Sequence, residues 1–251
     1  MGQNYADPAT TYATFTYKNF ASNPLFGDAG PIADDVVQGQ VGDCYYLASL
    51  AAIAKTDPSV IQQSVVDLGD GTYAVQFVKG GSKVFVRVDA DLATWNGGNT
   101  PVYAGFGKQG SMWVAIMEKA YAYFRTTTLS YASLDSGWMS ETSSALGVSS
   151  RSRYSATSAQ TLLDQIAADL GDGKAVTYAT TTVNGGAPLV GYHAYTVDAV
   201  IYDNNGVATS LRLRNPWGVD GVGNDGTNDG YVTITASQAL SNLLGYTAAN
   251  V

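Results

Sequence analysis

The chain holds one cysteine and one histidine in 251 residues. A single cysteine closes no internal disulfide, and one residue of each type supplies no side-chain set for a Cys/His zinc site or a haem attachment. Basic residues are also scarce: 13 Lys plus Arg stand against 21 Asp plus Glu, giving a net charge of −8 and a pI near 4.4. Phosphate backbones and anionic membranes are bound through a basic face, so nucleic acid and membrane surfaces are excluded as partners. No apolar run approaches the roughly 18 residues of a membrane span. The opening MGQNYADPATTYATFTYKNF lacks the apolar segment of a signal peptide. Ala6 stands where a myristoylation signal needs Ser or Thr. These absences read as a soluble monomer whose compartment is open, although high Gly, Ser, Thr and Tyr with little Lys hints at one module of a secreted parent.

What is present is enough to build a core. With 45% hydrophobic residues, the chain can form one large domain or two lobes. The lone cysteine lies in QGQVGDCYYLASLAAIA, residues 38–54. Gly39 and Gly42 mark a tight turn, Asp43 suits an N-cap, and Leu47, Leu50, Ala51 and Ala54 recur at helical spacing. Cys44 is thereby predicted at a helix N-terminus, where the helix dipole favours thiolate over thiol. The competing reading is a cysteine that fills a core contact as a small hydrophobe.

Around this stretch, residues 1–37 read as an irregular lead-in punctuated by Pro24, Gly27, Gly30 and Pro31. Asp57 and Pro58 end the cysteine helix. Alternation over Thr72–Val78 and Lys83–Val88 about Gly80 and Gly81 predicts a hairpin. Trp113, Ile116, Met117, Ala120 and Phe124 form the apolar stripe of a second helix. Gly105, Gly107 and Gly110 lack the strand, helix and acid of a nucleotide fingerprint. The Ser/Thr-rich residues 126–157 hold the expected lobe boundary, dividing a helical part, 1–145, from a β-rich part, 146–251. Beyond the boundary come a helix over 159–170, strands over 175–179, 194–202, 210–214 and 230–235, and a closing helix over 237–244.

His193 sits at the start of the strand in YHAYTVDAV, and Asn215 ends the return strand in LRLRNPWG, 22 residues on. Two neighbouring strands joined by one turn bring these ends to one side of the sheet. Asn215 can then accept a hydrogen bond from the imidazole, and Trp217 can screen that bond from water. Taken singly, His193 also reads as a hydrogen-bonded turn residue and Asn-Pro-Trp-Gly as an ordinary turn.

Cysteine, then histidine, then asparagine is the chain order and approximate spacing of papain-type cysteine proteases. The strings QGQVGDCYYLASL, WVAIMEKAYA, YHAYTV and RLRNPWG together resemble the calpain family of cysteine endopeptidases, over about residues 24–235. The resemblance implies an α+β, papain-like two-lobe fold with a helical first lobe and an antiparallel second lobe. It implies Cys44 as nucleophile, His193 as general base and acid, Asn215 as orienter, and Gln38 with the Cys44 amide as oxyanion donors, acting on a polypeptide substrate. Amide N–H groups suit that last role. The chain departs from the family at Tyr45, which replaces a Trp, and at Tyr192, which replaces a Gly; both would reshape the cleft walls. Acyl transfer by the same triad and a non-catalytic binding module remain as alternatives.

The family resemblance also implies one calcium ion per lobe. Asp35, nine residues before Cys44, stands where the family has an aspartate ligand, with carbonyls near Gly30 beside it, but Ala132 falls where the family has a glutamate. The loop VDGVGNDGTNDG carries Asp220, Asp225 and Asp229 at offsets the family does not use. Calcium needs about six to eight oxygens, so the expectation is a lost or very weak first site, one loose ion in the second loop, and no cofactor essential to the chemistry.

Overall fold

The computed structural model describes residues 5–223 and 226–251. It is a mixed structure of helices and antiparallel sheets. The strand β1, Phe15–Asn19, opens the chain and pairs antiparallel with β5, Asp91–Trp95. Between them lie α1, Cys44–Thr56; α2, Pro58–Ser64; and the sheet of β2, Val65–Asp67, β3, Thr72–Lys79, and β4, Ser82–Asp89. The β3–β4 hairpin turns at Gly80 and Gly81, whose φ angles of 58° and 79° are those a two-residue hairpin turn requires.

Then come α3, Trp113–Phe124; α4, Met139–Ala145; β6, Ser150–Arg153; α5, Ala159–Gly171; β7, Ala175–Thr180; β8, Ala194–Tyr202; β9, Ala208–Arg214; β10, Tyr231–Thr235; α6, Ala236–Ser241; and β11, Leu243–Ala249. The last six strands form one antiparallel sheet in the order β10-β9-β8-β7-β11-β6.

That sheet positions the site because its two faces differ in size. Along β7 the sequence alternates Ala175, Thr177 and Ala179 with Val176 and Tyr178, so one face is small and the other large. The large face, with Tyr195, Leu211, Leu213 and Ile234, packs on Leu162, Leu163 and Ile166 of α5 and forms one hydrophobic cluster. The small face, including Ala175, Ala179, Ala194 and Ala249, joins a second cluster that contains α1 and α3. Small side chains let α1 lie close against β7 and β8, and Thr196 Oγ1 donates to the Ala48 carbonyl at 2.7 Å across that contact. Every residue of α1 from Tyr45 to Ala54 is buried, so the helix is enclosed all round rather than amphipathic.

Four local expectations change. Pro58 does end α1, but Asp57 then caps α2 by accepting from the Ser59 N–H at 3.0 Å, with Pro58 tolerated in the first turn. The lead-in contains β1, whose Phe15 is buried against Trp95 and Tyr103. Residues 126–157 include α4, which packs on α1. The closing helix stops at Ser241 because Asn242 Nδ2 takes the Gln238 carbonyl at 2.9 Å, and the chain continues as β11 between β7 and β6. Among the described residues no helix is long and apolar enough to cross a membrane.

Candidate active site

Cys44 is the first residue of α1. Asp43 precedes it but makes no side-chain cap, because its carboxyl turns into the protein, where it is fully buried. Gly42 leaves room for the Asp135 carboxylate; a Cβ there would fall 2.1 Å from Oδ1.

His193 enters from the opposite side, on the turn into β8. Its N–H donates to Thr180 Oγ1 at 2.9 Å, and its carbonyl accepts from the Thr180 N–H at 2.9 Å, so the edge of β7 holds its backbone. Its side chain meets Asn215 at the end of β9: imidazole Nε2 and Asn215 Oδ1 are 2.9 Å apart. Asn215 Nδ2 donates to the Asp220 carbonyl at 3.2 Å, which orients the amide with Oδ1 toward the ring. An acceptor there requires the proton on Nε2, so Nδ1 keeps its lone pair. The Trp217 ring lies 4.8 Å from the imidazole and Tyr195 meets it edge-on at 5.0 Å. Asn215 is wholly buried and His193 nearly so.

Cys44 and His193 line one hollow of about 250 Å³ with Tyr45, Ala179, Tyr192 and Leu244. Tyr45 is buried beneath the Arg125 guanidinium, 5.0 Å from its ring centre. Tyr192 is 74% exposed at a φ of 51°, its hydroxyl 2.9 Å from Thr182 Oγ1. The segment Ser136 to Met139 completes the wall, with Trp138 half exposed at the rim. In the sequence this segment is only part of the Ser/Thr-rich stretch 126–157, and a Trp directly after Asp-Ser-Gly is its one signal. Gln38 borders a separate hollow of about 440 Å³ with Trp95, Pro101 and Tyr103. Its backbone N–H donates to the Pro216 carbonyl and its Nε2 to the Val41 carbonyl, both at 2.8 Å.

Burial sets the electrostatics. It pushes the Cys44 thiol up to about 11, outweighing the pull of the Ala194 N–H and of the Tyr45 and Cys44 N–H groups at the helix start. Burial likewise takes His193 down to about 4, partly offset by the bond to Asn215. Each group alone therefore rests neutral near pH 7.

Among the described residues the carboxylates named above do not converge. Asp35 is fully buried, and its carboxylate accepts from the Ile32 N–H at 3.1 Å, Trp113 Nε1 at 2.9 Å and Gln109 Nε2 at 3.0 and 3.2 Å. The same Gln109 nitrogen donates to the Gly30 carbonyl at 2.8 Å. An amide thus occupies the space between those oxygens, where a cation would have to sit. Asp220 Oδ1 accepts from the Gly230 N–H and Asp229 Oδ1 from the Tyr231 N–H, at 2.9 and 3.0 Å. Asp225 lies outside the described residues, and among those described no three Asp, Glu, His or Cys side chains converge.

The Cys44 end of α1, the imidazole and the amide therefore gather where α1 packs on β7 and β8, with His193 and Asn215 brought together as their strand positions predict. Residues 15–226 match the calpain family cysteine protease model. The chain belongs to the calpain family. It is 29% identical to the calpain-1 catalytic subunit of Mus musculus over 78% of the chain and 29% of that protein. It is 30% identical to the calpain-2 catalytic subunit of Gallus gallus over 78% of the chain and 30% of that protein. Against the calpain-type cysteine protease ADL1 of Oryza sativa subsp. japonica it is 32% identical over 47% of the chain and 5% of that protein. The chain thus spans less than a third of the length of these relatives.

Proposed function

We propose that this chain is the proteolytic module of a longer protein, a cysteine endopeptidase working through Cys44, His193 and Asn215. The carrying observation is the 2.9 Å bond from His193 Nε2 to Asn215 Oδ1, which leaves a basic Nδ1 on a ring that shares its hollow with the Cys44 thiol. A substrate carbonyl placed there is attacked by Cys44 Sγ as the thiol proton passes to Nδ1. Attraction between thiolate and imidazolium in a water-poor cleft offsets the cost that burial imposes on each charge alone. The Gln38 amide, its Nε2 held on the Val41 carbonyl, receives the oxyanion together with the Cys44 N–H. The imidazolium then protonates the leaving amine, and water, deprotonated by Nδ1, cleaves the thioester. The apolar wall formed by Tyr45, Ala179, Met139 and Leu244 suits a hydrophobic substrate side chain.

On this reading the chain forms the two lobes of a papain-like fold, divided near residues 145 and 146, with the small face of the second lobe's sheet packed into the cluster of α1 and α3. We further propose that the lobes stay aligned without metal. Asp34, ahead of Gln38, accepts from Arg214 Nε at 3.1 Å on β9 and from the Tyr231 hydroxyl at 2.8 Å on β10. Arg214 Nη2 also donates to the Val36 carbonyl at 2.8 Å. The test is incubation with an unfolded protein such as reduced casein. Cleavage that a thiol alkylating agent stops and a strong chelator spares is expected; cleavage that survives Cys44→Ala overturns the mechanism.

A further inference from the structure

Behind the nucleophile lies a buried acid pair that the chemistry above leaves unused. Neither Asp43 Oδ1 nor Oδ2 meets a donor. Glu118, in the middle of α3, is 1% exposed; its Oε2 accepts from the Ala104 N–H at 2.9 Å and its Oε1 meets no donor. The two carboxyls lie within hydrogen-bonding reach of each other, and the Gln38 side chain reaches Asp43 as well. Gln38 Oε1 is a fourth buried acceptor without a donor. The nearest cation, Arg125, is spent elsewhere: it donates to Glu141 at 3.1 Å and to the Ser133 and Ser136 carbonyls at 2.7 Å. Two buried carboxylates in contact cannot both ionise, and the donor such a cluster needs is a carboxylic proton.

We infer that Asp43 and Glu118 share a retained proton that positions the Gln38 amide and the first turn of α1, making them a positioning pair for the oxyanion side of the site. Both routes run through short bonds. Glu118 holds Ala104, and that segment brackets Gln38, with Gln40 N–H on the Val102 carbonyl and Gly105 N–H on the Val37 carbonyl, each at 2.8 Å. The Asp43 carbonyl accepts from the Tyr46 N–H at 2.8 Å and the Leu47 N–H at 3.1 Å, closing the turn that carries Cys44.

The groups facing the pair leave the titration to the acids themselves. Tyr121 on α3 and Arg125 just past its end face Asp43, as do Cys44, Tyr45 and Tyr46 on α1. Tyr103 and Tyr131 face Glu118. Burial holds the tyrosine hydroxyls and the thiol neutral and raises both carboxyls, Asp43 to about 7 and Glu118 well above its ordinary value. A raised acid is more protonated folded than unfolded. The stability it contributes is full below the unfolded value of 3.8 for Asp43 and is lost as pH rises through about 7, with Glu118 following higher.

The inference rests on the peptidase reading, so its test has one readout that needs no proteolysis. Glu118→Gln keeps an acceptor for Ala104 and a donor for Asp43 but does not titrate; Glu118→Leu keeps neither. Casein cleavage in the parent should lose kcat, with little change in KM, as the pair deprotonates above neutrality. Glu118→Leu should lose about 10²-fold in kcat, the scale of one misplaced oxyanion donor. Glu118→Gln should recover most of that loss and flatten the alkaline limb. The fall in Tm between about pH 5 and about pH 9 should flatten in the same variant. If Glu118→Gln retains the parent's pH dependence of Tm, the shared proton is overturned whatever the enzyme does. If that dependence flattens but the parent cleaves nothing, the peptidase reading fails and the shared proton stands. If it flattens while Glu118→Leu folds and turns over like the parent, the pair exists but positions nothing.

Discussion

Gln109→Glu asks whether an amide fills the place of a cation. Gln109 Nε2 lies 3.0 and 3.2 Å from the two Asp35 oxygens and 2.8 Å from the Gly30 carbonyl, while its Oε1 accepts from the Ala29 N–H at 3.1 Å. The substitution exchanges that nitrogen for a carboxylate oxygen and sets two like charges about 3–4 Å apart beside a fully buried Asp35. At an effective dielectric of about 20 their repulsion is about 4–5 kcal/mol. The new carboxyl can escape by staying protonated, which at pH 7 costs about 3.7 kcal/mol from an ordinary value near 4.3. The expected loss is thus about 3–4 kcal/mol, or about 10 °C in Tm for a chain of this size. Near pH 5 protonation costs only about 1 kcal/mol, so most of the loss should vanish there. The variant also gathers both carboxylates and the Gly30 carbonyl around one point, so calcium at about 100 times its Kd should return about 2.7 kcal/mol. Thermal unfolding of parent and variant, at both pH values and with calcium or chelator, measures all of this. A parent whose Tm climbs several degrees with calcium, or a variant as stable as the parent at pH 7, would refute the reasoning.

Cys44→Ala should abolish casein cleavage while leaving Tm within a few degrees, because α1 packs through Tyr45 to Ala54 rather than through the thiol. His193→Ala should be nearly as severe. Asn215→Ala should retain measurable turnover, about 10–10²-fold below the parent, because it orients the ring rather than reacting; loss equal to that of Cys44→Ala would give Asn215 a larger role. Gly39→Ala would bring a Cβ to 2.2 Å from the Val102 and Tyr103 carbonyl oxygens, so the backbone beside Gln38 must move; kcat should drop with KM little changed, and an unaltered kcat would detach that loop from the chemistry. Burial raises the Asp34 carboxyl, but Tyr231, Arg214 and Lys108 outweigh it and hold it below 3.8, so its contribution is present above that value and lost as pH falls through the folded one. Asp34→Asn should therefore weaken the parent at neutral pH and flatten its acid unfolding; an unchanged acid limb would remove this contact from the account.

What the sequence showed of this site was local or nearly so. Gly80 and Gly81 mark their hairpin because the turn demands left-handed backbone at both. His193 and Asn215 meet because one turn joins their strands, and turn chemistry is readable in single residues. The helix start at Cys44 is readable, but not its protonation, since burial by β7, β8 and the 136–139 segment is a property of the assembled fold. Asp43 read as a cap for the same reason: nothing near it in sequence announces Glu118, 75 residues away. The strand β11 read as the tail of a helix because Leu243 and Leu244 continue an apolar pattern from α6, and its partners, β6 and β7, lie far back in the chain.

That strand has a consequence for how the protein comes into being. Leu243–Ala249 is inserted between β7 and β6, pairing with both, and among the described residues β6 has no other strand partner. A chain emerging from the ribosome can zip β7, β8 and β9 as local hairpins, yet β6 must wait about 90 residues for its neighbour, the kind of distant pairing that slows folding. Leu244 on this strand is also one wall of the hollow that holds Cys44 and His193. The hollow is therefore finished only when β11 pairs, and a chain made as far as α6 carries its thiol beside an incomplete wall.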